Sequence, residues 1–264
     1  MAENGGDKGE IGLTVDEAAA AIAQLGDWDL ALRMLIGQRQ APASADEARA
    51  RISAGGQSLA ERDLLVAAAG GLRLAPALER LAAAVAEPEL TLRLSRTLAG
   101  AAESEDFHFH AGRIVRQRLG EAPAYALAEE ASLATVVDRA LAFFKVGLAV
   151  EAAAAASVPA RLVSGFRWPP GVESLGLMAP GAGAPGSSLP EAFAADQAAE
   201  RLRGSFLRVD YGHGHPVSRP GALVVAGVER AWLLRPDLEV IGNLSLVQAS
   251  RATVGAEIER LSRA

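Results

Sequence analysis

Four histidines, and only four, occur in this 264-residue chain, and they come as two His-x-His pairs. His108 and His110 stand in EDFHFHAG, and His213 and His215 in VDYGHGHP. Neutral imidazole is the commonest metal ligand among side chains. Two such pairs, with Asp106 or Asp210 beside them, could supply a zinc or nickel site if the fold brought both stretches together. A metal-binding protein or enzyme centred on His108, His110, His213 and His215 is therefore one reading of the chain. The same spacing permits an inert reading. On a strand, His108 and His110 share one face and Phe107 and Phe109 the other. Phenylalanine needs the core, so the histidine face is expected in solvent. His213 and His215 lie in a turn bounded by glycine and proline. The expectation is two exposed pairs, no bound metal and no cofactor.

Other chemistry has less support. The chain lacks cysteine, which removes disulfides, thiolate metal sites and cysteine nucleophiles and fits a reducing compartment. GAGAPGSS is glycine-rich without the Lys-Ser/Thr of a phosphate-binding loop, and VSGFR lacks the Gly-x-Ser-x-Gly of a nucleophile elbow. Glu103, Glu105 and Asp106 read as a solvated acidic loop. Arg113, Arg116 and Arg118 read as a solvated strand face, without the interleaved aromatics that single-stranded nucleic acid would require. A helix, helix, strand order over residues 58–95 would suit a winged-helix reader, yet its second helix offers only Arg80 to a phosphate. With a net charge of −6, no nucleic-acid partner is expected. The 57 alanines, and 24 arginines against 2 lysines, are read as a GC-rich coding bias.

The elements that would position these residues follow from hydrophobic period. Residues 1–12 are polar and acidic and are expected as a disordered tail, with no apolar signal core. TVDEAAAAIAQLG opens a helix with Thr14 as N-cap and Glu17 completing a capping box. Trp28, Leu32 and Leu35 form one helical stripe. Residues 41–57 suggest a short helix between loops, and Ser58 with Glu61 suggests a second capping box. A helix over 75–88 stops at Pro88. The period then changes to two: ELTLRLSRT alternates, DFHFHAGRIVRQRLG alternates again, and APAYALAEEA reads as a third strand, followed by a helix at SLATVVDRALAFFKVGL. The apolar run ALAFFKVGLAVEAAAAASV is broken by Lys145 and Glu151. It is read as that helix and its extension, not as a span of about 20 strongly apolar residues.

Residues 164–190 are rich in proline and glycine and predict a long loop. After it the order repeats: helix, strands, helix. Ala131-Ser132-x-Ala134-Thr135-Val136 and Ala249-Ser250-x-Ala252-Thr253-Val254 both lead from a strand into a helix. This predicts an internal duplication of 73–145 and 190–263, with both histidine pairs between the first and second strands of their halves. The predicted fold class is α/β (α+β): two pseudo-two-fold related βββα halves forming a mainly antiparallel sheet flanked by helices, with an N-terminal helical segment. The chain is expected as one globular unit, with 13–163 holding the N-terminal helices and first half, 164–190 the loop and 191–264 the second half.

A helical N-terminus with LAERDLL, then LAPALERLAAAVAEPELTLRLS, a strand pair, SLATVVDRAL, a Pro/Gly-rich break and a second similar half resembles the EspG-type chaperones of type VII secretion systems. The resemblance covers most of the chain as element order and hydrophobic pattern. It implies a cytosolic, non-enzymatic protein that binds the apolar tip of helical PE–PPE heterodimers and keeps them soluble before export. No binding residue transfers with it. The chain's own chemistry nominates the loop, where Phe166, Trp168, Leu175, Leu177 and Met178 stand among proline and glycine and suit a partner's apolar helix. The expected partner is thus a protein, a helical secretion substrate, with no membrane span in the chain and a cytoplasmic location. A structural subunit of a larger assembly is the remaining alternative.

Overall fold

Thr14 sets where the first helix begins. Its side chain accepts from the Glu17 N–H, Glu17 Oε2 accepts from the Thr14 N–H at 2.7 Å, and helix α1 (Val15–Gln24) follows, as the capping box predicts. The computed structural model describes residues 9–36, 41–69, 71–98, 101–119, 125–146, 156–163, 189–211, 216–227, 230–237 and 243–263. Ahead of the cap, strand β1 (Ile11–Leu13) pairs antiparallel with residues 125–127. Residues 11 and 12 are therefore strand and not tail. What holds them is main-chain pairing, aided by the ion pairs of Glu10 with Arg116 and Arg118, and neither has a sequence period.

Helices α2 (Trp28–Ile36) and α3 (Ala45–Glu61) come next, then a two-stranded hairpin of β2 (Leu65–Ala68) and β3 (Gly71–Leu74), and α4 (Pro76–Ala86). Ser58 is not an N-cap. It lies inside α3, whose cap is Ser44, and its hydroxyl donates to Glu17 Oε1 at 2.7 Å. Of residues 41–57, expected as a short helix between loops, 45–57 are most of this 17-residue helix. Its glycine has a packing reason: a Cβ on Gly55 would sit 2.1 Å from the Asp16 carbonyl oxygen, so α3 passes α1 at backbone distance. Arg51 reinforces the crossing by donating to Asp16 Oδ1.

Strands β4 (Leu90–Leu98), β5 (Ala101–His110), β6 (Arg113–Leu119) and β7 (Tyr125–Glu130) lead into α5 (Leu133–Phe143). After β8 (Ala156–Pro159) and a 3-10 turn at Ala160–Leu162 come α6 (Glu191–Ala198), β9 (Leu202–Asp210), β10 (Val217–Ala226), β11 (Ala231–Pro236), β12 (Asn243–Gln248) and α7 (Arg251–Ser262). Ten strands form one open sheet in the order β1-β7-β6-β5-β4-β9-β10-β11-β12-β8. The fold is mixed α/β, a large antiparallel sheet flanked by helices. Each half holds four strands and not the expected three. DFHFHAGRIVRQRLG is a hairpin, turned at Ala111 and Gly112, whose φ angles of 49° and 74° are both left-handed as a type I′ turn requires. Alanine seldom takes that conformation, so the sequence reads straight through. The expected extension of α5 is also corrected: the helix stops at Phe143, Lys145 follows at φ 53°, and residues 156–159 are a strand paired with β12.

The chain divides into two compact units. Among the described residues, the first takes 9–91, 105–131 and Tyr211, and the second takes the rest. The first is built on Leu13, Ile22, Leu35, Leu59, Leu78, Val115 and Leu127, with the alanines 18–21 of α1 inside. The second has a cluster of Val158, Phe193, Val225, Trp232, Leu234, Leu244 and Leu246, where Phe193 meets the Trp232 ring edge-on at 5.7 Å. Asp196 of α6 accepts from both Trp232 Nε1 and Arg230 Nε at 2.9 Å.

Two polar sites in the first unit overturn or extend what patterning implied. His108 pairs in register with Val115, a core residue, so its face is covered and the ring is buried. Thr91 Oγ1 lies 2.9 Å from His108 Nδ1, and Gln117 Oε1 lies 2.8 Å from Nε2. A neutral imidazole protonated on Nε2 satisfies both: Nε2–H donates to Gln117 and the Thr91 hydroxyl donates to Nδ1. Both Phe107 and His108 are buried, because this sheet is covered on both faces there. His110 is half-buried, with Nδ1 2.7 Å from the Glu87 carbonyl. The second site is Glu17, buried between α1 and α3. Burial pushes its carboxyl up, but the Thr14 N–H, the Ser58 hydroxyl and the Arg62 guanidinium together outweigh this and hold it below the usual carboxylate range.

Both sites can be tested by denaturation. His108→Ala should destabilise by about 2–3 kcal/mol in urea, because it leaves a cavity and strands Thr91 and Gln117. His110→Ala should stay within about 0.5 kcal/mol, because its half-buried ring lies outside the core. Equal effects would refute the burial argument. For Glu17, a depressed native value means that its stabilisation is present above the unfolded carboxylate value, about 4.3, and lost as pH falls below it. Glu17→Gln should therefore cost about 2 kcal/mol at pH 7 and much less at pH 3. A pH-independent cost would show that the carboxylate charge is not what matters.

Candidate partner-binding surface

Of the residues nominated from sequence, Phe166, Trp168, Leu175, Leu177 and Met178 lie outside the described residues, as do His213 and His215. The four histidines do not occupy matching places in the strand order. His108 and His110 end the second strand of their half, whereas residues 213 and 215 fall between β9 and β10, the first and second strands of theirs. Both ring nitrogens of His108 are already engaged. Asp210 is held by Arg208 and by Arg219, the latter at 2.7 Å. Among the described residues, no three His, Cys, Asp or Glu side chains come together as a metal centre would need.

The arginine strand is not a solvated cationic face either. Arg116 is buried and reaches Glu10 at 2.8 Å and Glu130 at 3.1 Å. Arg118 pairs with Glu10 and Arg113 with Glu129. Each has a carboxylate opposite it because β6 lies beside β7 and near the stretch leading into β1. The winged-helix order also fails, since the β2–β3 hairpin intervenes between α3 and α4. A polar cleft of about 350 Å³ in the second unit is lined by Ser95, Thr97, Glu103, Ser205 and the paired Arg96 and Arg203. Its cations are each matched by a glutamate, Glu103 and Glu200.

Exposed apolar side chains are the more telling feature. On α2, Trp28 is 49% and Ile36 60% exposed, with the half-buried Leu32 between them at i, i+4, i+8. Leu35, grouped with Trp28 and Leu32 by spacing alone, instead turns inward with Ala31. The signal for this was present. Seven of the nine α2 residues are apolar, more than one face can bury. The β2–β3 hairpin adds Leu72, 55% exposed, on the face whose inner end is the buried pair Leu65 and Leu74. No helix among the described residues is long and apolar enough to cross a membrane.

In sequence, the chain matches no family model and no curated protein. In structure it is similar to the Mycobacterium tuberculosis type VII secretion system chaperone EspG5, solved in complex with the PE25–PPE41 dimer. The two share 13% sequence identity and superpose with a TM-score of 0.55, over 96% of this chain and 95% of that one. The element order that carries the sequence resemblance is thus matched in three dimensions across nearly the whole of both chains, and this chain has the fold of an EspG-type secretion chaperone.

Proposed function

We propose that this chain is a non-enzymatic, cytosolic protein-binding module that holds an apolar helical partner soluble before export. The observation that carries the reading is the end-to-end likeness to EspG5, a chaperone solved with a protein dimer bound. A fold by itself does not assign function. What adds to it is chemistry of this chain: apolar side chains exposed on α2, and five more large apolar residues that stand among proline and glycine in the sequence between 164 and 190. Free in water such residues favour aggregation; against a partner's apolar helix they become anchors. The partner class is a helical secretion substrate of the PE–PPE type, and the recognition surface is the loop 164–190, with Phe166, Trp168, Leu175, Leu177 and Met178 as its contacts.

Co-expression of the chain with a PE–PPE heterodimer should keep that dimer soluble and give a complex that elutes as one species. Trp168→Ala should weaken the complex by about 2 kcal/mol or more, as for a buried aromatic anchor, and leave the melting temperature nearly unchanged. A variant that instead loses about 3 kcal/mol of stability, with unchanged affinity per folded molecule, would remove the loop from recognition. Loss of binding in Trp28→Asp but not in Trp168→Ala would assign recognition to α2. A set of PE–PPE dimers that all stay insoluble beside the chain would refute the chaperone reading itself.

A further inference from the structure

The two halves keep register to the residue. Helices α4 and α6 end at Ala86 and Ala198, 112 positions apart, and the nine-residue strands β4 and β9 are 112 apart at both ends. Strands β5 and β10, ten residues each, are 116 apart at both ends. Strands β6 and β11 begin 118 apart, β7 and β12 are 118 apart at both ends, and so are the N-caps Ser132 and Ser250 of α5 and α7. The offset grows only between strands, by four residues between β9 and β10 and by two between β10 and β11. In this register Arg96 of β4 falls on Arg208 of β9, and Phe143 of α5 falls on Leu261 of α7.

These pairs share an interaction. Arg96 Nη1 donates to the Phe143 carbonyl, the last residue of α5. Arg208 Nη1 donates to the Leu261 carbonyl at 2.8 Å and to that of Arg263, at the end of α7. The other side of each guanidinium is tied to a carboxylate on the sheet. Arg96 Nε reaches Glu103 at 2.8 Å, and Arg208 Nε reaches Asp210 at 2.5 Å. Arg96 also stacks over the Phe143 ring, 4.4 Å from its centroid. The last carbonyls of a helix have no partner within it and form the negative end of its dipole. A guanidinium can satisfy them with one edge while its other edge holds a carboxylate, which an ammonium cannot.

We infer that Arg96 and Arg208 are equivalent helix clasps, one in each half of a duplicated chain, each fixing the C-terminal end of its own half's last helix to its own half's first strand. Helices α5 and α7 pack against one another, with Asp138 paired to Arg251. The clasps therefore set the seat of this helix pair from two separate strands.

Hydrogen exchange on the full chain tests it. Arg208→Met should speed exchange of the amides at 258–263 roughly tenfold or more and leave those at 140–146 unchanged. Arg96→Met should do the reverse to a similar extent. The Lys variants, which keep the charge and lose the fork, should fall between Met and the parent; if a Met variant does not fold, the same pattern is read from its Lys counterpart. Exchange that rises equally in both helices, or in neither, would overturn the clasp. A response from only one of the two arginines would overturn their equivalence.

Discussion

A carboxylate taken out of water has to meet a cation or a dense set of donors, and much of this protein is organised by that requirement. Glu17, Glu130, Asp196 and Glu257 are buried, and each meets at least one arginine: Arg62, Arg116, Arg230, and both Arg235 and Arg260. Helix α1 turns four successive alanines inward, which bury little area, and Glu17, Asp16 and the bare backbone at Gly55 add to the hold on α3 of the shared apolar cluster. Breaking such a pair from one side leaves a buried charge and costs several kcal/mol, so the interior specifies its neighbours by charge where alanine cannot do so by shape.

That division of labour decides what could be read from the residues alone. The capping box at Thr14 and Glu17 was legible, and so was the change from helical to strand period near Leu90. The same motif at Ser58 and Glu61 misled, since Ser58 serves a distant carboxylate from within α3. Residues 41–57 read as a short helix between loops because the reason for Gly55, the passing backbone of α1, lies 39 residues away in sequence. The Ala111–Gly112 turn was missed because alanine rarely takes a left-handed φ. His108 was placed on the wrong face by a sound rule, phenylalanine inward, that holds for a sheet covered on one side only.

The overall fold was legible in a different way. Element order across the chain carried the resemblance to secretion chaperones, and the likeness to EspG5 at 13% identity shows how little residue identity such an order needs. Exposed apolar residues are harder to see. Trp28 and Ile36 stand out only once the buried face of α2 is known, and the apolar residues between 164 and 190 stand out by composition alone.

The neighbouring glycines of α3 carry a lesson for anyone who would stiffen this protein. By helix propensity Gly55 and Gly56 look interchangeable, each a candidate for alanine and a gain of up to about 1 kcal/mol. Their surroundings are opposite: nothing lies within 4 Å of a Cβ at Gly56, while at Gly55 a methyl would collide with the Asp16 carbonyl. One position is a free parameter of the sequence and the other a fixed one. The spacing of α1 and α3 is thus a hard stop set by peptide groups, a boundary that repacking of side chains cannot relax.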